Sequence, residues 1–450
     1  MVGPFGAKGI RGSVRDELTV DSAVQLGKAV GKYFNGTLAL VTDGRIISDM
    51  IKESVTAGLT ASGCDVLDMG TMPLSVMQMF VRDNEHIIGG ISIISFDGRE
   101  DMVNVKCIFS DGVELSEGGR SKIESYYGES IKAKEAFEIG RVIEMNDVAY
   151  RPYIDAVLKT TDVQSIKRAG LSAVLDCANG PSSRTLPAIL RALGVKTVTL
   201  NSDMCTDRPG KSDWMTQESI NDLVELTGVN GADIGIATDI NGDHVRFVTD
   251  EGECLETEQT VAILSAYAQS VRPGSVVVST SDMSEKIDEI IEEQGGTSAR
   301  SKSNILSMVE KIKETSAVFG ATVSGGFIFS AHQYCCDAGM TVVKMLSAIA
   351  KNGPLSVQVS ELPRFIVERR DVECPDNMKS AAIEMISELH STTVTDSIDG
   401  VRFNMPDGIV MIRPSGTDHI LRITAESDDA DAAVSLAEEF AEEIENYLNA

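Results

Sequence analysis

The sequence predicts an α/β protein: three similar mixed α/β units, then a smaller C-terminal α+β unit. Three observations predict it. Short apolar runs at 87–94, 171–175, 198–200, 234–237, 275–279 and 317–319 alternate with stretches of helical periodicity, the rhythm of mixed or parallel sheets covered by helices. A helix–Gly–strand phrase appears three times, closed by Gly63, by Gly194 and by Gly295-Gly296. Glycine just past a helix end supplies the left-handed cap that other residues adopt at a cost. After Pro363 the order changes, and strands come in pairs ahead of a long helix.

Taken in order, residues 22–34 have helical spacing and 38–42 form an apolar strand. A helix over 48–62 leads into a strand at 64–67, and 87–94 is the next buried strand. The second unit carries strand 171–175, helix 186–193, strand 195–200 and strand 234–237. The third carries strand 275–279, helix 287–294 and strand 317–319. In the last, strand 365–370, helix 378–388, paired strands at 400–405 and 408–412, strand 421–425 and helix 431–447 follow one another. The expected domains are 1–149, 150–252, 253–363 and 364–450, although no Gly/Ser-rich or low-complexity tract marks the joints.

A chain of 450 residues has room for three domains, or four small ones. Its hydrophobic share of 42% and charged share of 24% are those of a soluble globular protein. The net charge of −28 argues against nucleic acid or an anionic membrane as partner. An anionic substrate would need a locally positive pocket. None of the eight cysteines forms a C-x-x-C pair, so neither a zinc site nor a redox dithiol is indicated. The N-terminus shows no signal-peptide pattern and no apolar run reaches membrane-span length, so a cytoplasmic protein is expected. His86, His332 and His390 stand isolated and read as structural.

Three stretches can carry chemistry. In Asp239-Ile-Asn-Gly-Asp-His244, oxygen-bearing side chains recur at every second position between two strand-like runs. Asp239, Asn241 and Asp243 so spaced suit a hard cation such as Mg²⁺. A plain Asx-rich turn has the same composition. An EF-hand loop would want glycine where His244 stands. The second stretch, Arg413-Pro-Ser415-Gly416-Thr417, offers backbone N–H groups and hydroxyls converging in a turn, with Arg413 and Arg422 to add charge, which suits a phosphate. An ordinary Pro-Ser-Gly turn is the alternative. The third, Gly6-Ala-Lys-Gly-Ile-Arg11-Gly12, is Gly-rich and basic but lacks P-loop spacing.

Together these stretches resemble the α-D-phosphohexomutase superfamily of phosphoglucomutases, phosphomannomutases and phosphoglucosamine mutases. Phe5-Gly-Ala-Lys-Gly-Ile-Arg-Gly12 is similar to its F-G-T-S-G-I-R-G, and Asp176-Cys-Ala-Asn-Gly180 to its D-x-A-N-G. Asp239–His244 resembles the metal loop D-G-D-A-D-R, and Arg413–Thr417 reads as the phosphate loop R-P-S-G-T. Pro354-Leu-Ser and Glu361-Leu-Pro363 resemble the hinge into the last domain. The motifs run collinearly from residue 5 to about 425. The resemblance implies four domains around a central cleft, a phosphorylated sugar as substrate, Mg²⁺, a phosphoserine, and a monomer or homodimer.

The departures are specific. The family's T-A-S-H-N-P serine falls on Phe96, with Ser95 one residue away, and the His-Asn-Pro is absent. The resemblance implies Ser95, Arg11 and Lys106 as catalytic residues, Ser95 only with a shift of register. Asn241 replaces an aspartate and His244 an arginine, and His244 is expected to be mostly neutral at pH 7. The sugar-selecting G-E-x-S-G-H reads Ala321-Thr-Val-Ser324-Gly325-Gly326, leaving Ser324 and Gly325 as sugar-binding candidates. Ser301-Lys302-Ser303-Asn304-Ile305 stands for T-K-V-G-D. Two functions follow: isomerisation of a hexose 1-phosphate to the 6-phosphate, or a mutase-like binder of a phosphorylated metabolite that does not turn it over. Different chemistry on a related phosphate is a third possibility.

Overall fold

The computed structural model describes residues 4–6, 9–96, 99–146, 148–204, 217–396, 398–416 and 419–449. Its contacts divide the chain into two compact units: Met1–Tyr267 with Ser324–Ser360, and Ala268–Val323 with Glu361–Ala450.

Among the described residues, two sheets lie wholly within the first unit. The larger, seven-stranded among the described residues, runs Phe5–Gly6, Gly9–Ser13, Arg99–Phe109, Ile87–Phe96, Thr37–Thr42, Val66–Thr71, Val142–Glu144. Thr37–Thr42 is parallel to both neighbours and buried at all but its first residue. That explains why it reads as a continuous apolar run rather than an alternating one. Ile87–Phe96 turns back antiparallel into Arg99–Phe109, which pairs with Gly9–Ser13. Helices Val20–Phe34 and Ile46–Ala61 meet at Gly27 and Gly58, where an added Cβ would come within 2.2 Å of the facing helix's carbonyl oxygen. Ile10, Ile91, Ile93, Val103 and Val105 join Leu26, Ile51 and Val55 in one core.

The second sheet runs Val245–Thr249, Ile234–Thr238, Ser172–Asp176, Lys196–Leu200, parallel except for its first strand. Ile234–Thr238 and Val245–Thr249 form the hairpin whose turn is Asp239–His244. Ligand sites in such sheets lie beyond the carboxyl ends of the parallel strands. Here those ends lead into Asp43, Pro73, Asp176–Gly180 and Asp239.

Asp337 ties the helix Ala338–Asn352 into this unit. It caps the helix through Met340 N (2.9 Å), accepts from Tyr153 Oη (2.5 Å) and Gln333 Nε2 (2.8 Å), and lies 3.2 Å from His332 Nε2. His332 is therefore not isolated. Nor is His390, which bonds Glu443 at 2.7 Å and stacks on Phe440. Burial pushes the Asp337 carboxyl up, but the His332 and Tyr153 contacts outweigh burial and leave it below the usual range. A carboxyl depressed on folding stabilises above its unfolded pKa, and that contribution is lost as pH falls through the folded one. Asp337→Asn should therefore cost about 2–4 kcal/mol at neutral pH, with the deficit closing as pH falls through the folded-state pKa. Urea melts from pH 2 to 7 would check this, and a pH-independent deficit would refute it.

In the second unit Val276–Thr280 is flanked in parallel by Thr297–Ser301 and Phe319–Ala321. The strand expected at 317–319 starts at Phe319, because Ser316 takes a left-handed cap and Ala317 and Val318 complete the turn from the helix. The last part is an antiparallel sheet, five-stranded among the described residues: Val367–Glu373, Ile420–Glu426, Gly408–Pro414, Val401–Met405, Val394–Asp396. Helices Lys379–Leu389 and Ala430–Leu448 cover one face, and Phe403 and Phe440 are central to that core. Arg402 bonds Glu285 and the Ser281 carbonyl, Glu426 accepts from Ser284, and Asp399 accepts from Ser303 N at 2.8 Å. No described helix is long and apolar enough to cross a membrane.

Candidate functional site

The Asp239–His244 turn is held by its own backbone. Asp239 Oδ1 accepts from Asp243 N (2.8 Å) and His244 N (3.1 Å), and Oδ2 lies 3.0 Å from His244 Nδ1. Gly242 takes φ 74°, a left-handed value that suits glycine. Beside it, Ala178 and Asn179 also have positive φ, and a Cβ on Gly180 would strike the Ile240 carbonyl oxygen at 2.4 Å. The Asp176–Gly180 phrase therefore buttresses the turn. Val245 N donates to Gly325 O at 3.0 Å and His244 bridges to Gly326, which brings Ser324 and Gly325 alongside.

Lys106 Nζ lies 3.5 Å from Asp243 Oδ2. Burial pushes this ammonium down, but Asp243 and the neighbouring acids outweigh it and hold Lys106 above its ordinary value. Burial raises the Asp243 carboxyl, against the pull of Lys106. Burial alone would lower His244, yet the Asp239 bond and charge leave it above its ordinary value, so it is more cationic than a free imidazole.

Could this turn take Mg²⁺? Asn241 Oδ1 and Asp243 Oδ1 are buried and have no hydrogen-bond partner. Two orphaned hard oxygens on one tight turn fit such a cation. Asp239 contributes less, since its oxygens serve the loop. Among the described residues no three His, Cys, Asp or Glu side chains form a ready ligand set.

Side chains alternate across a strand, and cross-strand partners share a face. Arg11 pairs with Asn104, and Lys106 with Ser92, so Arg11 and Lys106 share the face opposite the Ile91–Ile93 core. Ser95 pairs with Val103 and takes the core face. Its Oγ donates to Asp43 Oδ2 at 2.5 Å and its N–H to the same oxygen at 2.6 Å. Arg45 N holds the other Asp43 oxygen at 3.0 Å. The structure thus joins Lys106 to the Asp239–Asp243 turn and places the Ser95 hydroxyl with Asp43 instead.

In the second unit, Arg413 and Arg422 are cross-strand partners. Arg413 Nη2 pairs with Asp282 at 2.9 Å, and Arg422 Nε with Asp371 at 3.4 Å. Ser415 is buried, its N–H bonded to Ile420 O at 3.0 Å. A Cβ on Gly416 would meet nothing within 4 Å, so there is open space at that position. Thr417 lies outside the described residues. Lys379, buried under the loop, donates to Ser415 O at 3.0 Å. Sequence reasoning missed Asp43, Asp282 and Lys379, each distant in sequence from the motif it supports.

Comparison with known proteins agrees with this geometry. Phosphoglucomutase/phosphomannomutase alpha/beta/alpha domains I, II and III match residues 3–134, 151–252 and 256–365, and the C-terminal domain matches 371–443. A probable phosphoglucosamine mutase of Methanopyrus kandleri is 33% identical over 441 residues, covering 97% of this chain and 96% of that protein. A phosphoglucomutase/phosphomannomutase of Thermococcus kodakarensis is 28% identical, covering 95% of each. In fold, a Burkholderia thailandensis phosphoglucomutase/phosphomannomutase family protein superposes with a TM-score of 0.84 at 20% identity, covering 98% of this chain and 97% of that one. The mixed α/β sheets, the oxygen-lined turn and the Arg413 loop thus sit in a chain that belongs to the phosphoglucomutase/phosphomannomutase family and is a phosphohexomutase, an isomerase.

Proposed function

We propose that the protein interconverts the 1- and 6-phosphates of an aminohexose, using Ser95 as phosphoryl carrier and Mg²⁺ held by Asn241 and Asp243 beside Asp239. The observation that carries this reading is the pair of buried, partnerless oxygens on a turn that also meets Lys106. The substrate class follows from the relative named as a probable phosphoglucosamine mutase. Bound Mg²⁺ would neutralise charge on the moving phosphoryl group. Lys106, held cationic, does the same from a fixed position. Ser95 Oγ, hydrogen-bonded to Asp43, takes up the phosphoryl group as its proton passes to the Asp43 carboxylate. A sugar hydroxyl then attacks that phosphorus: the Ser95 Oγ–P bond breaks as the sugar O–P bond forms, Asp43 returns its proton to Oγ, the sugar hydroxyl's proton passes to solvent, and the reverse step at the other sugar oxygen restores the phosphoserine. Arg11 shares the Lys106 face, Ser324 and Gly325 border the turn, and in the second unit Arg413, Ser415, Gly416 and Thr417 bind a phosphate.

Incubation with a hexose 1,6-bisphosphate should add one phosphoryl group to Ser95, read by intact mass and peptide mapping. Ser95→Ala should lose that increment and lower turnover on the order of 10³-fold. Turnover that survives in Ser95→Ala would remove Ser95 from the mechanism. No phosphoserine and no interconversion in the wild type would leave a binding protein.

A further inference from the structure

The Arg413 guanidinium does not stand open. Asp282, which follows the strand Val276–Thr280, is 5% exposed and sits 2.9 Å from Arg413 Nη2, itself 12% exposed. Burial opposes ionisation of Asp282, but the Arg413 charge together with the Thr280, Ser303 and backbone contacts outweighs it, so the carboxyl lies below its usual range. Around it the polar cluster is unfinished. Ser279 and Ser281 hydroxyls are buried without partners, and those of Thr280 and Ser303 approach Asp282 without full hydrogen-bond geometry. A buried ion pair is weak support for stability, because desolvation offsets its attraction. Something other than stability accounts better for a carboxylate on this arginine.

We infer that Asp282 is a specificity-determining counter-ion of the phosphate loop: it takes an N–H edge of Arg413 that a phosphate would use, and so limits how strongly the loop holds a dianion. The inference rests on the reading of the Arg413 loop as the phosphate site. Carboxylate and phosphate are both acceptors for the same forked donor, and only one can take Nη2. Their mutual repulsion grows with the charge of the ligand and is strong in a partly buried site. A sugar phosphate is therefore held loosely enough to leave or turn over, and bare dianions are held poorly. Arg422 does not play this part. Its partner Asp371 is half exposed, where solvent screens the pair.

Asp282→Asn keeps the side chain's size and one acceptor oxygen while removing the charge, so Arg413 stays oriented. Titration calorimetry with inorganic phosphate should then show binding about tenfold tighter than in the wild type. Asp282→Ser, which fits among the neighbouring hydroxyls, should tighten binding in the same direction and guards against a single variant that fails to fold. In an Arg413→Ala background neither change should alter phosphate affinity, since Asp282 acts through Arg413. Equal or weaker binding by both Asp282 variants overturns the inference. If Arg413→Ala alone leaves phosphate affinity untouched, the phosphate-loop reading falls as well, and the two failures are thus told apart.

Discussion

Chelation of divalent cations should lower isomerisation at least about 10³-fold, and added Mg²⁺ should restore it. The size follows from how little else in the turn neutralises charge. Asp239 spends its oxygens on two backbone N–H groups and on His244. Asn241 brings an oxygen but no charge. Asp243 is thus the one carboxylate of the turn with an oxygen left over, and Lys106 already draws on its other oxygen. Affinity for a hard cation rises with the number of charged oxygen ligands. Half-saturation should therefore need millimolar Mg²⁺, and Asn241→Asp should lower that requirement about tenfold. Activity measured against free Mg²⁺ for both proteins checks the pair of expectations. Full activity in excess chelator, or an Asn241→Asp curve that overlays the wild type, would show that the turn holds no catalytic metal.

Much of this was legible in the chain itself. The Asp239–His244 turn announces itself because its oxygen side chains and flanking strands are local, and the strands form as read. The Arg413 loop is local too. What escaped depends on register and on long-range contact. Ser95 stands one residue from Phe96, and its register opposite Val103 puts it on the core face rather than on that of Lys106. Asp43 meets Ser95 across 52 positions because parallel strands bring their carboxyl ends together. The contact between Asp239 and His244 also escaped, since nothing in the neighbouring residues tells how tightly Asp239 folds back onto the imidazole. Asp282 gave no signal, because only the packing of one sheet's loop against another strand's end makes it a partner of Arg413.

That partnership sets the second large expectation. Arg413→Ala should weaken inorganic phosphate binding about 10²-fold, and Arg413→Lys should recover little, because an ammonium cannot replace a planar fork with two parallel donors. Stability should fall with affinity. Without Arg413, Asp282 is a buried carboxylate with no counter-charge, and breaking such a pair costs about 3–5 kcal/mol. The pH dependence then changes sign. In the wild type the depressed Asp282 carboxyl stabilises above its unfolded pKa and loses that contribution as pH falls through its folded pKa. In Arg413→Ala, the largest contribution opposing burial is gone and burial raises the folded pKa, so the folded state binds the proton more tightly and the variant gains stability as pH falls. Adding Asp282→Asn to Arg413→Ala should recover most of the lost stability at neutral pH but none of the lost phosphate binding. Denaturant melts and calorimetry on the two variants separate these effects: the fold needs the pair neutral, whereas the ligand needs the arginine.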